Sequence, residues 1–267
     1  MIRKGQWILL PADMVEHLQH LRLSPLGVIP QRDRRPRTIS DYTFYKVNED
    51  TVPLAPSDAM QFGGALHHLL YQIVSANPRF GPVYLSKIDI SDGFYRVWLL
   101  PRDIPKLGVL FPQHPGEPPL VGFPLVLPMG WVSSPPYFCA ATETVADLAN
   151  ATAATAHDPS PHRLDAVSET AVPYRAPTPT EVSSDVAVPL PPPGGDCRHR
   201  RRQPLSHNDV YVDDFLSAVQ GNPKRRQRHK RILLHALDEV FRPLAPGDNP
   251  HRQEPASVKK FRKGDGT

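Results

Sequence analysis

Cysteine is scarce: only Cys139 and Cys197 occur in 267 residues. They lie far apart and lack Cys-x-x-Cys spacing, which argues against a disulfide framework or a structural zinc site. Long apolar runs are missing too. No stretch approaches the roughly 20 residues that span a bilayer, so no membrane segment is expected. The opening MIRKGQWILLPADMVEH has too short an apolar run for a signal peptide and ends in charge. The expectation is a soluble, intracellular, non-secreted chain of unassigned compartment. Strong net charge is also lacking, at +4, although the basic residues cluster. The excess is in proline, 33 of 267 residues, more than twice the ordinary share of about 5%. Interrupted elements, long loops or an unfolded stretch should follow.

Composition divides the chain. Residues 1–25 form an N-terminal segment, and 26–150 hold most of the aromatic and aliphatic residues. Residues 151–204 carry ten prolines, a single aromatic (Tyr174) and a terminal basic run, Arg198-His199-Arg200-Arg201-Arg202. Such a segment cannot bury enough apolar surface to offset its ordering entropy, so disorder is expected there. Apolar periodicity returns over 205–245 and fades in a tail, 246–267. Within the first globular part, Leu26–Pro30 and Arg37–Tyr42 read as extended segments around a basic turn. SDAMQFGGALHHLLYQIV reads as a helix with Leu66, Leu69, Leu70 and Ile73 on one stripe. PVYLSKIDI predicts a strand over Val83–Ile90, and RVWLL, LGVLF and PLVGFPLVL predict three more short ones. SSPPYFCAATETVADLAN predicts a helix capped by Ser134, with Pro135 first and Phe138, Ala141, Val145 and Leu148 on its apolar face. Past the proline-rich stretch, VYVDDFLSAV predicts a hairpin with Asp213 and Asp214 near its tip. A helix capped by Asn222 follows, with Ile232, Leu233, Ala236, Leu237, Val240 and Phe241 inward. The mixture indicates an α+β fold.

Two strand ends carry carboxylates, KIDISDGF with Asp89 and VYVDDF with Asp213-Asp214. Taken alone, each is explained by a surface turn or a satisfied strand-end Asp. Together they make what a site for two divalent cations needs, because like charges held close are tolerable only if hydrated, protonated or metal-bound. Mg²⁺ takes a few carboxylates plus water and substrate phosphates, and paired ions serve in-line phosphoryl transfer. LPMGWVSSPPYF adds a turn whose small residue lets backbone approach a flat ligand. His67 and His68, with no second ligand pair nearby, do not suggest a metal site. Lys224, Arg225, Arg226, Arg228, Lys230 and Arg231 put positive charge on the first half of a helix, starting at the end where the macrodipole disfavours it, which points to an anionic partner.

In this order the segments resemble the fingers and palm of reverse transcriptases, RNA-directed DNA polymerases of retroviruses and long-terminal-repeat retrotransposons. SPLGVIPQRDRRPRTISDYT is similar to the fingers hairpin, with its R-x-x-x-D-Y pattern from Arg37 to Asp41-Tyr42. KIDISDGFY resembles the first catalytic motif, LPMGWVSSPPYF the template-and-nucleotide motif, and YVDD the second catalytic motif. The matching stretches cover about 26–150 and 208–241. A metal-dependent glycosyltransferase would also use an acidic motif, but would leave the fingers-like and LPMGW segments as coincidence.

The resemblance implies a polymerase palm, an antiparallel sheet packed on helices, with partial fingers and a disordered insertion. It implies that Asp89, Asp213 and Asp214 are catalytic and hold two Mg²⁺, with Mn²⁺ able to substitute. Phe94 would be the gate against a ribose 2′-OH, while Asp92 and Gly93 would offer backbone N–H groups to the triphosphate. Arg37 would clamp phosphates, and Arg32 would stand near the family's phosphate-binding lysine, since Gln31 is uncharged. Met129, where retroviral members place glutamine, and Gly130 would border the nucleotide. Tyr211 would support the primer end, and Lys224, Arg225, Arg226 and Arg228 would meet nucleic acid. The implied partners are an RNA or DNA template with primer and a dNTP, with no membrane. Pro128 and Tyr211 stand 83 positions apart, where the family has a few tens, and the resemblance leads one to expect the polyprotein's thumb and RNase H regions outside these residues. A decayed, non-enzymatic remnant that still binds nucleic acid is the rival expectation.

Overall fold

The computed structural model describes residues 1–32, 34–52, 60, 62–113, 115–165, 172–173, 202–242 and 254–257. In chain order the elements are β1 (Trp7–Pro11), β2 (Leu23–Gln31), β3 (Arg34–Ser40), α1 (Phe62–Val74), β4 (Val83–Asp89), β5 (Gly108–Leu110) and β6 (Leu120–Pro124). After them come α2 (Ser134–Ala153), β7 (Val172–Pro173), β8 (Ser206–Tyr211), β9 (Asp214–Gln220) and α3 (Pro223–Phe241). The α+β class expected from the sequence is what forms. The chain makes two compact units. One comprises Met1–Gln61, Ile90–Thr142 and Val240–Pro255; the other comprises Phe62–Asp89, Glu143–Glu239 and Ala256–Thr267. Among the described residues no helix is long and apolar enough to cross a membrane.

The first unit is built on a sheet of order β1-β6-β5-β2-β3. β2 and β3 pair antiparallel around the basic turn, with Ile29 opposite Arg37 and a register irregularity between Ile29 and Gln31. Val15, Val121 and Phe123 form the core under this sheet, with Leu10, Leu18, Leu21 and Leu23 packed against them. Two of the three short β-prone runs become strands, β5 and β6. RVWLL does not, contributing only an isolated bridge from Trp98 to Val126. It lies between two 3-10 turns, Gly93–Arg96 and Pro101–Leu107, and Pro101 cannot donate to a ladder.

The second unit holds an antiparallel sheet of order β7-β4-β9-β8. Tyr211 pairs with Asp214, so Val212 and Asp213 alone make the hairpin turn. α1 presents Leu69 and Ile73, and the chain just past it Ala76, to a core of Val83, Leu205 and Ala218. The predicted stripe is therefore rotated: Leu66 and Leu70 are exposed, and Ala65 takes the inward place. A small residue at 65 lets the helix sit close, which the hydropathy pattern did not reveal. α2 begins at Ser134 itself, one position early, and buries Phe138 and Val145 as expected, but Leu148 faces out. On α3, Asn222 accepts from the Arg225 amide at 2.9 Å as N-cap, and Ile232, Leu233, Ala236 and Leu237 are buried.

A polar network ties the hairpin to both long helices. Ser206 Oγ lies 2.7 Å from His229 Nδ1, and His229 Nε2 lies 2.8 Å from Asn208 Oδ1. Ser217 donates to the same Asn208 oxygen at 2.7 Å, and the Asn208 amide donates to Asn150 Oδ1 at 2.8 Å. Burial, reinforced by Arg225, His207 and Arg228, lowers the His229 pKa to about 3. The ring is thus neutral, with Nε2–H donating to Asn208 and Nδ1 accepting from Ser206.

Part of the stretch expected to be disordered is ordered. α2 runs on to Ala153, and residues 154–165 follow α3 by polar contacts that composition could not reveal. Arg228 donates to the carbonyls of Thr155 and His157, both at 2.9 Å. His162 meets Asp238 at 2.9 Å, Arg163 forks onto Asp238, and Arg231 meets Asp165 at 2.7 Å. Burial alone would raise the Asp238 pKa, but hydrogen bonds from Arg163 and His162 outweigh it and hold the group at about 2. Val172–Pro173 also pair with Leu85 and Tyr84. Residues 166–171 and 174–201, with Cys197 and most of the Arg198–Arg202 run, lie outside the described residues.

The His229 environment predicts a pH dependence. The folded pKa of about 3 lies below the unfolded value of about 6.5, so the unfolded chain takes up this proton first. Its contribution to stability should be complete above about pH 6.5 and be lost progressively toward pH 3. Urea unfolding across that range checks this, and His229→Asn should flatten this part of the profile while lowering stability at pH 7 by about 1–3 kcal/mol.

Candidate active site

The carboxylate residues all belong to the second unit. β4 and β9 pair so that Asp89, the last residue of β4, stands opposite Asp214, the first of β9. Asp89 is buried, and its carbonyl accepts from the Ser257 amide at 2.8 Å. Lys87, two residues earlier and so on the same face of β4, reaches Asp214 Oδ2 at 2.6 Å. Asp214 Oδ1 is buried without a hydrogen-bond partner. Asp213 occupies the turn, and Tyr211 is half exposed beside it. The register therefore brings Asp89 and Asp214 together directly. Among the described residues no three His, Cys, Asp or Glu side chains converge as a metal-holding group. Of the three expected carboxylates, the strand register pairs Asp89 with Asp214, while Asp213 occupies the adjoining turn.

The donor chemistry still fits a hard divalent cation. Both side chains offer oxygen only, and a buried, orphaned carboxylate oxygen is costly unless something positive meets it. Lys87 supplies one positive charge, to the other oxygen of Asp214.

The turn itself is strained. Val212 has φ of +59°, while Asp213 stays at negative φ, the pattern of a type II′ hairpin turn that normally places glycine first. A β-branched residue at positive φ is an outlier.

The residues assigned to the nucleotide belong to the first unit. Arg37 Nη2 lies 2.9 Å from Met129 Sδ, so two of them touch. Gly130 has φ of +98°, and a Cβ there would sit 2.6 Å from the Ser40 carbonyl oxygen. Only glycine lets the LPMGW turn lie this close to the end of β3. Asn48 holds the turn, donating to the Gly130 carbonyl at 3.0 Å and accepting from the Val132 amide at 2.9 Å. Ser134 Oγ donates to the Pro128 carbonyl at 2.6 Å. Phe94 lies on Phe138 with ring centroids 4.6 Å apart. Asp92 adopts a left-handed conformation and meets Lys4 Nζ at 2.7 Å. Tyr95 has its pKa raised by burial, with Arg37 lowering and Asp92 raising it, which places both charges near its hydroxyl. Arg32 is exposed on the β2–β3 turn.

Sequence reasoning missed Lys4, Asn48 and Lys87. Only Lys87, two residues from Asp89 on a strand, carried a local signal. The basic helix also differs from expectation. Arg225 donates to the Pro204 carbonyl at 3.0 Å, Arg226 lies over the Tyr84 ring at 3.8 Å, and Arg228 is held by carbonyls. Lys224 alone of the four expected contacts extends into solvent without such a task.

No protein-family model matches this chain, and no curated protein does. Among solved structures, a foamy viral protease-reverse transcriptase in complex with double-stranded DNA aligns over 97% of this chain at TM-score 0.50 and 18% identity. A prototype foamy virus protease-reverse transcriptase aligns over 88% at TM-score 0.45 and 17% identity. The fold is reverse-transcriptase-like. The chain spans 29% of the first neighbour's length and 20% of the second's.

Strain at the turn gives a direct test. Val212→Gly should raise stability by about 1 kcal/mol, because glycine accepts the positive φ, as thermal unfolding would report. Gly130→Ala should lower it by about 3 kcal/mol or more, through backbone strain and the close Ser40 oxygen.

Proposed function

We propose that this chain is the fingers–palm part of an RNA-directed DNA polymerase of retroviral or retrotransposon type, which extends a primer 3′-OH with dNTPs. The observation that carries this reading is the Asp89–Asp214 register pair, with a buried, unpartnered oxygen beside a carboxylate-bearing turn. Asp89, Asp213 and Asp214 would hold two Mg²⁺, or Mn²⁺. Such ions, when bound, supply charge neutralisation and activation of the attacking oxygen.

The remaining work falls to the chain's own groups. Arg37, exposed on β3 and only weakly engaged by a thioether, is available to clamp phosphate oxygens. Asp92 and Gly93, both at positive φ, form a turn of the sort that aims successive backbone N–H groups at an anion. Phe94, braced by Phe138, presents a rigid ring where a 2′-OH would clash. Tyr211 supports the primer from the hairpin. Retroelement origin and nucleic-acid binding belong to this proposal, and they draw on the ordered motifs together with the fold.

Primer extension on an RNA template tests it. Wild type should incorporate dNTPs with Mg²⁺ or Mn²⁺, and Asp213→Asn should reduce incorporation by about 10²-fold or more. Incorporation no greater than in that variant would leave the non-enzymatic reading in its place. Phe94→Ala should weaken discrimination against rNTPs by roughly tenfold or more while the metal dependence is kept.

A further inference from the structure

The segment from Ala154 to Asp165 contains no helix or strand, yet it lies on α3, which carries six Lys and Arg residues between Lys224 and Arg231. Arg228 and Arg231 are taken up there, the first by two backbone carbonyls and the second by Asp165. We propose that this segment is a releasable clasp over a phosphate-binding face of α3, and that single-stranded nucleic-acid backbone displaces it from Arg228 and Arg231. The proposal rests on the nucleic-acid part of the function above and not on the carboxylate site.

Four features support release. First, the present partners of Arg228 are weaker than phosphate. Arg228 sees neutral carbonyl oxygens, whereas a phosphate adds a full opposite charge and a bidentate match to the guanidinium fork. Second, the clasp carboxylate is only half used. Asp165 Oδ2 accepts from Arg231 Nε and from the His162 amide, while Oδ1 is buried with no partner. Holding the clasp closed therefore carries a desolvation cost that opening removes. Third, the fit is incomplete. A cavity of about 530 Å³ remains, lined by His157, Asp158, Ser160, Ile232, His235 and Glu239 among others. Fourth, apolar anchorage is thin: Leu164, Pro159 and the ring of His162 are buried, while His157, Asp158, Ser160 and Arg163 are exposed.

The clasp also has a fixed point. His162 and the forked Arg163 both meet Asp238, in the half of α3 farther from the basic residues. Release of Arg228 and Arg231 would leave this anchor in place, so the segment would swing and not dissociate. Phosphates binding the freed guanidinium groups would displace counterions, and that gain grows as salt falls.

The test measures binding of the full chain to a fluorescent 12-nucleotide oligo-dT across a salt series. Asp165→Asn should bind roughly fivefold tighter than wild type, since it removes the competing carboxylate. Arg231→Gln should bind more weakly, with the slope of log K against log salt reduced by about 1. Cutting before Asp158 by an Asp-specific protease should accelerate when the oligonucleotide is added to wild type, and this arm does not depend on any variant folding. Unchanged affinity in Asp165→Asn, or a cutting rate indifferent to oligonucleotide, overturns the clasp. Equal acceleration by poly-glutamate of matched charge overturns the assignment to nucleic acid. Absence of oligonucleotide binding by wild type and Asp165→Asn alike removes the clasp and the nucleic-acid reading together. Strong wild-type binding that Asp165→Asn does not improve removes the clasp alone.

Discussion

The pairing register of β4 with β9 is the constraint on which the second unit depends. Asp89 faces Asp214 only in this register; a slip of one residue would turn every side chain of the strand to the opposite face. Carboxylate repulsion at one end of the pair works against the register, so it has to be fixed elsewhere. At the far end, Gln220 is buried and donates to the carbonyls of Asn77 and Gly81 at 3.1 and 2.7 Å, while its own carbonyl oxygen accepts from the Leu205 amide at 3.1 Å. In the middle, Ser217 and Asn208 lock β9 to β8, and His229 and Asn150 join that pair to α3 and α2. Gln220 is satisfied only when the β4–β9 register is correct, while the other groups hold β9 itself in place against β8, α2 and α3.

This arrangement explains how two acidic residues can end apolar strands. The polar network sits away from the carboxylates and holds the backbone, so the tip is free to carry charge and strain. Lys87 relieves part of the repulsion through Asp214 Oδ2. Val212 takes the strained position of the turn, and a network that over-determines the strands can support such a residue. Local strain with remote compensation is what a preorganised site requires, because the geometry is then set before any ligand arrives.

Legibility in the sequence followed the range of the interactions involved. The VYVDDF hairpin, the Asn222 cap and the inward face of α3 are local patterns, visible in spacing and in residue type. The α1 stripe was misread because Ala65 and Leu66 are adjacent, and hydropathy favours the leucine whereas close packing favours the alanine. Residues 154–165 were misread for a related reason. Proline and the lack of aromatics mark a linker when burial is the only source of order. Here order comes from Asp238, Arg228 and Arg231, more than 60 positions away in sequence. Asn48 and Lys4 escaped notice on the same ground, since each acts on a partner more than 80 positions distant.

The fold likeness at 18% identity bears on which residues matter most. With so many side chains replaced, a shared fold has to rest on demands of the backbone, and these can be named here without appeal to the neighbour. Gly130 is demanded by the Ser40 carbonyl 2.6 Å from where its Cβ would be. The turn of Val212 and Asp213 is demanded by the direct pairing of Tyr211 with Asp214. Arg37 and Met129 are not demanded in this way, because a thioether contact to a guanidinium holds neither backbone. Under the function proposed above, these two side chains and the unpartnered oxygen of Asp214 would serve a ligand and not the backbone.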